Sequence, residues 1–234
     1  MSFDIRKIPT IMRNHHWLNA ARLMDIWFAK PTSIAPNYGA PDTASIRMDA
    51  WVLTFPRARA VYDQLMNDRV WINTAAQAEI GKMLRHKGCI APISQPFGNL
   101  NQTVETHDAD YINYRVVSFG VSELDDMSAA LGKFTFRVLV SGWLTAGGAS
   151  GYQVAISEVG IYIRDSYDFQ GEQDLGYWDD ADNAVSMVNP LSGTGVSNKD
   201  FRDWRSKNGR GGDFIVFSDI KRTRLLVPDK FFIK

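Results

Sequence analysis

In the first third of the chain apolar residues recur at helical spacing, and beyond residue 111 they mostly alternate. "HHWLNAARLMDIWFAK" sets Trp17, Ala20 or Ala21, Met24 and Trp27 or Phe28 on one face, a broad apolar stripe that predicts a helix. Pro31, Pro36, Gly39 and Pro41 punctuate the next stretch and end that helix. In "SIRMDAWVLTF" the apolar positions Ile46, Met48, Trp51 and Val52 fit neither period cleanly, and both a strand and the lead-in to a helix stay open. Pro56 suits a first helical turn, with "RARAVYDQLM" as the helix. "NTAAQAEIGKMLRHKG" carries a full set of helix signals. Asn73 or Thr74 caps it, Ala76, Ile80, Met83 and Leu84 form its face, Arg85 to Lys87 sit at the negative end, and Gly88 stops it.

A polar connector runs from about Ile90 to Asp110, marked by Pro92, Pro96, Gly98 and Asn101. After it, "YINYRVV" reads as a strand, and "SELDDMSAALG" as a short helix with Ser122 as cap and Gly132 as stop. "KFTFRVLVSGWL" alternates Phe134, Phe136, Val138 and Val140 against Thr135, Arg137 and Ser141, the pattern of a half-buried strand. "TAGGASG" is a hairpin-type connection into "YQVAISEVGIYIRDSYDF". Parity shifts between Ser157 and Gly160, where a bulge would re-aim the side chains. "SNKDFRDWRSKNG" is a helix begun by Ser197 or Asn198 and ended by Gly209, and "DFIVFSDI" is one more strand.

Helices first and strands afterwards, without regular β-α-β alternation, indicate an α+β fold. The expected architecture is a single domain over residues 1–234. Its N-terminal helices (about 1–90) pack on a mainly antiparallel β-sheet formed by the C-terminal half (about 111–234). On the helix of residues 198–208, Phe201 and Trp204 are expected to be buried, with Arg202 and Arg205 pointing outward.

Composition narrows the function classes. Twenty-six Lys and Arg balance twenty-six Asp and Glu, so no global field gathers nucleic acid or an anionic membrane surface. One cysteine, Cys89, excludes an intramolecular disulfide framework and a multi-cysteine zinc site. No apolar run reaches membrane-spanning length. The N-terminus, charged and interrupted throughout, lacks the form of a cleavable secretory signal. Synthesis in the cytoplasm is the expectation, with export by a route that needs no cleavable signal left open.

The chemistry-bearing stretch is "IYIRDSYDFQGEQDLGYWDDADN", in which a strand runs into a cluster of acids. Gly171 falls at the wrong offset from Asp165 for a calcium loop, and no Glu closes one. Asp165 and Tyr167 share a strand face if the strand continues that far, and a turn after Tyr167 can bring Asp168 back toward Asp165. Asp165, Tyr167 and Asp168 are therefore the candidate catalytic residues. Close carboxylates hold a magnesium ion, or one acts as base when its pKa is raised. A divalent cation such as Mg is the one cofactor this pattern suggests, and no cofactor-binding motif is found. The structural alternative has Asp165 and Asp168 accepting backbone N–H bonds in a turn, with Tyr167, Tyr177 and Trp178 packed over the sheet edge.

Other candidates carry less. His15 and His16 lack the i,i+4 spacing of a helical metal pair, and His86 sits in a helix's last turn, where the dipole favours a cation. His107 in "ETHDADY" is expected in an exposed loop, and Cys89 to be inert. No serine lies in a G-x-S-x-G elbow. "NGRGGDF" leads from helix to strand, the reverse of a phosphate loop, and reads as a tight turn. The basic residues of 199–224 are placed to complement the acidic turn.

The chain carries two resemblances. Asp165-x-Tyr167-Asp168 is similar to the Asp-x-Tyr-Asp run of colicin M-type toxins, which cleave the lipid-linked peptidoglycan precursor. Those toxins have His-Arg five residues later, where this chain has Asp174-Leu175, so the family's catalytic histidine is missing. Over nearly its whole length the chain resembles an uncharacterised bacterial family, a domain of unknown function that tends to be encoded beside type VI secretion components. "AARLMDIWF", "VYDQLM", "DYINYR", "VGIYIRDSYDFQGEQDLGYWD", "NPLSGTGVSN", "FRDWRSKNGRGGDFIVFSD" and "KRTRL" carry that likeness. It implies a role in contact-dependent bacterial competition. One expectation is an antibacterial effector, a hydrolase acting on cell-envelope precursors. The alternative is a non-enzymatic accessory of the same system: an adaptor, chaperone or immunity protein. The implied partners are a secretion spike or tip protein, or a cognate effector or immunity protein.

Overall fold

The computed structural model describes residues 3–90, 93–120, 123–147 and 151–234. About 34% of the chain is helical and 36% strand, with helices mainly in the N-terminal half and strands mainly in the C-terminal half, so the fold is α+β. The chain divides into two compact units, each assembled from three segments. One comprises residues 1–46, 118–134 and 165–216, the other residues 47–117, 135–164 and 217–234.

In the first unit, α1 (Ile8–Asn14) and α2 (Leu18–Ala29) pack on each other, and α2 also packs on α6 (Asp126–Leu131). The stripe read from the sequence is the buried face of α2: Ala20, Ala21, Met24 and Trp27 are all interior. The residue at the N-cap of α2, Trp17, has no side chain able to cap it. Asp126 does so from α6, accepting the N–H of Ala20 at 2.8 Å and of Asn19 at 3.3 Å. Trp27 is the hub of the core, ringed by Phe28, Phe169, Phe201 and Trp204, and Phe169 stacks on Phe201 at 3.8 Å. A small antiparallel sheet of order β7-β6-β8 also belongs here, built from β6 (Asp174–Asp179), β7 (Ala184–Ser186) and β8 (Thr194–Ser197). β1 (Gly39–Ile46) lies beside β9 (Phe214–Ser218).

The second unit has most of β4 (Phe134–Ala146) and β5 (Tyr152–Tyr167) as a long antiparallel hairpin, paired from Thr135–Arg164 to Ala146–Tyr152, while residue 134 and residues 165–167 belong to the first unit. β10 (Lys221–Ile233) runs antiparallel along the far side of β5. The other edge of β4 takes β2 (Gln95–Phe97) and β3 (Asn113–Val117). The parity shift is a bulge. Ser141 faces Glu158 and Gly142 faces Ile156, so Ser157 is the extra residue, and the β10 register breaks at the same place. α3 (Pro56–Asn67) and α4 (Thr74–His86) cover this sheet, with Tyr62 edge-on to Phe136 and Ile80 and Leu84 interior. The short helix α5 (Val104–His107) carries Asp108 at its end, which accepts from Arg137 (2.5 Å), Tyr162 (3.1 Å) and Arg164 (3.2 Å). The buried Asp229 of β10 accepts from Trp71 Nε1 at 2.7 Å and pairs with Arg69.

Several boundaries and orientations differ from the sequence reading. β1 starts inside the Pro/Gly-rich stretch, α1 and β10 were not foreseen, and neither were β6 to β8, because short half-polar strands carry little period. Asp125, not Ser122, caps α6, through a capping box with Ser128; Ser122 itself and most of the "GGAS" turn lie outside the described residues. On α7 (Asn198–Asn208) Ser197, one of the two expected starts, is the N-cap and forms a capping box with Asp200, Gly209 is the expected stop, and Phe201 is fully buried. Trp204, however, is only half-buried, and Arg205 points inward with 4% exposure. Positions 198, 201 and 205 share the inner face of α7, and Arg205 has an acid to meet there.

Candidate functional site

β5 does continue to Tyr167, and all three candidate residues line one cavity. Tyr167 turns into the core, stacks on Phe214 with centroids 5.1 Å apart, and donates its hydroxyl to Met24 Sδ at 3.6 Å. Burial, with the neighbouring charges of Asp165 and Asp25, pushes its hydroxyl well above the ordinary tyrosine range, so the phenol stays neutral. Asp165 and Asp168 are half-buried, and both line one cavity of about 380 Å³ that lies wholly in the first unit. Its lining is mixed, with Met24, Trp17, Leu131, Trp178 and Phe201 among its apolar members and Ser128, Lys133, Gln173 and Asn198 among its polar ones. This volume is in the range of small-molecule sites.

What holds the acid turn is α7. Arg202 Nη1 donates to the carbonyls of Phe169 (2.9 Å) and Gly171 (2.5 Å), and its Nη2 meets Glu172 at 2.9 Å. Asn198 Nδ2 donates to the carbonyl between them, Gln170 O, at 2.6 Å, and Asn198 N–H to Gln173 O at 2.9 Å. Gly171, at φ +69°, supplies the left-handed residue the turn needs. Gln170 Nε2 reaches on to Asp213 Oδ2 at 3.1 Å. Asp168 itself accepts from Tyr38 hydroxyl at 3.3 Å and from the N–H of Gln170 at 3.2 Å.

Behind the turn lies a buried ion pair. Asp213, fully buried, accepts from Arg205 Nη2 (2.6 Å) and Nη1 (3.2 Å), Trp27 Nε1 (3.0 Å) and the N–H of Ala35 (3.1 Å). Arg205 Nη1 also donates to Ser33 O at 3.0 Å, while its Nε is buried without a hydrogen-bond partner. The glycines of "NGRGGDF" permit this packing: a Cβ on Gly211 (φ +94°) would stand 2.5 Å from the Trp27 ring, and one on Gly212 2.3 Å from Pro31 O. The tight-turn reading of that stretch therefore holds.

The remaining sequence candidates fall elsewhere. His15 Nε2 lies 2.9 Å from Asn183 O. His86 is exposed, and Cys89 is half-exposed. His107, expected in solvent, is buried: α5 turns it inward, its Nε2 2.9 Å from Asn99 O. Of the basic run, Arg202 meets the acid turn, whereas Lys221 pairs with Asp49 and Arg222 with Glu158. Among the described residues no three His, Cys, Asp or Glu side chains group to hold a metal ion. Sequence reading missed Asn198 as a holder of the turn and named Arg202 only as one of a basic run. Their i,i+4 spacing on a helix with a strong capping box was the available signal.

Fold and site together define a two-unit α+β protein with an acid-bearing cavity of mixed lining at the end of a central strand. The chain belongs to DUF6402, a family of unknown function, which matches residues 3–195 and 193–233. No curated protein and no solved structure matches it. Among the described residues no helix is long and apolar enough to cross a membrane.

Proposed function

We propose that the protein is an antibacterial effector of the type VI secretion context, a hydrolase of cell-envelope precursors whose working site is the cavity at the end of β5. The observation that supports it is the meeting of Asp165 and Asp168 on one cavity of about 380 Å³ with a mixed lining. In this reading the apolar residues of the lining hold the body of the substrate and the carboxylates bind its polar end, one of them taking a proton from the attacking water. Tyr167 serves as a structural member, since a neutral phenol bonded to a thioether is placed for packing.

The test is growth of a bacterial host expressing the protein, in the cytoplasm and directed to the periplasm, beside the Asp165→Asn, Asp168→Asn double variant. Toxicity that falls by orders of magnitude while the variant melts as a folded protein supports the assignment. Full toxicity from the stably folded double variant removes it. A purely structural turn gives a third pattern: stability falls by about 1–3 kcal/mol, and activity falls only with the folded fraction.

A second reading, the non-enzymatic accessory, draws on surface. Val188 (69% exposed) and Leu191 (94%) stand together in the β7–β8 connection of the first unit, an apolar point suited to a protein partner. That reading expects no growth defect in either compartment.

A further inference from the structure

We propose that the second unit docks on an anionic lipid surface through one face of its sheet, with Leu226 and Val227 entering the interface and Arg224 and Lys230 meeting the headgroups. This stands independently of the cavity at the end of β5. The neutral total charge hides a separation. Residues 47–117, 135–164 and 217–234 hold fifteen Lys and Arg against ten Asp and Glu, whereas the first unit holds eleven against sixteen. β10 concentrates the excess. Lys221, Arg222, Arg224 and Lys230 stand there against one acid, Asp229, which is buried on Trp71 and Arg69.

Register defines the face, because directly opposed residues of neighbouring strands point to the same side. Arg224 lies in a row with Glu158 and Ser141, Lys230 with Ala155 and Trp143, and Phe232 with Gln153 and Thr145. The bulge at Ser157 keeps these three rows on one side of the sheet. Leu144, Val154 and Ile156 take the other side, where all three are fully buried. On the open side Trp143 is 48% and Phe232 57% exposed, and Arg224 and Lys230 are exposed as well. Glu158 does not serve Arg224, since the Arg222 fork takes both of its oxygens, at 2.8 and 3.0 Å. Neither Arg224 nor Lys230 has an ion-pair partner among the described residues.

Between those two cations the chain leaves the ladder. Arg224 faces Glu158 and Asp229 faces Ile156, so the four residues Leu225 to Pro228 stand against Ser157 alone. Leu226 (103% exposed) and Val227 (76%) are thereby held in water, side by side. Aliphatic side chains enter the boundary between headgroups and acyl chains, aromatic rings settle at headgroup level, and Lys and Arg attract anionic lipid. This face carries all three, and so supplies both the apolar and the electrostatic signal that stable anchoring needs. A nucleic acid would use the cations and leave the aliphatic tip in water. A two-fold pair of copies would bring like charges together.

Flotation of the intact chain with vesicles tests the assignment, comparing phosphatidylcholine with a mixture containing about one-third phosphatidylglycerol. Binding to the anionic vesicles is expected to be about tenfold tighter or more, to weaken as salt is raised, and to shift tryptophan emission to the blue, a shift that Trp143→Phe should reduce. The Arg224→Gln, Lys230→Gln double variant should remove the anionic preference, at about fivefold per charge, and Lys230→Arg should keep it. The Leu226→Ser, Val227→Ser double variant should weaken binding by about tenfold or more with an unchanged melting temperature, because both side chains are already in water. Absence of binding, equal binding to both vesicles, or anionic binding that neither double variant weakens overturns the proposal. So does a chain that ignores the vesicles and instead binds a DNA duplex or self-associates through Leu226.

Discussion

The buried pair of Arg205 and Asp213 gives the sharpest stability test. Asp213 is fully buried and Arg205 is 4% exposed, so neither charge has water to fall back on. Asp213→Asn keeps the shape and removes the charge. It leaves a buried guanidinium facing a neutral amide, and turns one acceptor that now serves Arg205, Ala35 and Gln170, or Arg205 and Trp27, into a donor. Breaking one side of a buried pair costs about 3–5 kcal/mol. At roughly 2–4 °C per kcal/mol for a chain of this size, that is a fall of about 6–20 °C in Tm. Arg205→Met should cost a similar amount, because it strips Asp213 of two donors. The double variant should cost less than the sum by about 0.5–3 kcal/mol, since no lone charge remains. Urea unfolding followed by tryptophan fluorescence, which reports on Trp27 beside the pair, measures all three. An Asp213→Asn midpoint unmoved within about 0.5 kcal/mol, or strictly additive single variants, would refute the reasoning.

Arg202→Ala should loosen the acid turn without unfolding the unit. Losing a charge-assisted clamp of roughly 1.5 kcal/mol predicts about tenfold faster hydrogen exchange at the Gln170 amide, and Arg202→Lys should not restore it, because an ammonium lacks the fork that reaches two carbonyls; unchanged exchange would show that the clamp is idle. The alkaline limb of stability is set by Tyr162 and Tyr167, whose hydroxyls are both raised, chiefly by burial. A raised folded pKa favours the neutral form, so this stability is fully present below the unfolded value near pH 10 and is lost as pH rises above it. Tyrosinate absorbance from these two residues should therefore develop only with unfolding, and a smooth titration of every tyrosine near pH 10 in the folded protein would contradict the burial argument.

Most long periodic elements were legible in the sequence, the exception being β10 (Lys221–Ile233), whose Arg- and Lys-rich run was not read as a strand. The stripe of α2, the caps of α4 and α7, and the alternation of β4 and β5 with the bulge at Ser157 all arise from local rules. The short strands β6 to β8 were not, since three to six residues hold too few periods to distinguish them from loop. Arg205 was read outward because an isolated arginine belongs in water. Only its partner, eight residues later across a glycine turn, makes the inward rotamer favourable, and such pairings are set by tertiary geometry. His107 was misread for the same reason: its burial depends on a carbonyl, Asn99 O, that no side-chain pattern reveals.

The acids of residues 165–182 looked like one cluster in the sequence, and the fold takes them apart. Glu172 is spent on Arg202, though at 85% side-chain exposure that bridge contributes little. Asp179 accepts the N–H groups of Ala181 and Asp182, holding its own turn, and Asp180 pairs with Lys7. Asp174 opens β6 in solvent, opposite Ser197. Each of these has a local duty or a hydrated position, and none lines the cavity. Asp165 and Asp168 do line it, one from the last residues of β5 and one just past its end, where α7 fixes the chain through three successive carbonyls. A turn that served only to close the chain would need its backbone held. Asp168 does part of that holding, since it accepts the N–H of Gln170 as the structural alternative expects, and it also lines the cavity and accepts the Tyr38 hydroxyl. The distinction between a structural and a functional acid turn therefore comes down to those two residues, and their Asn variants address it directly.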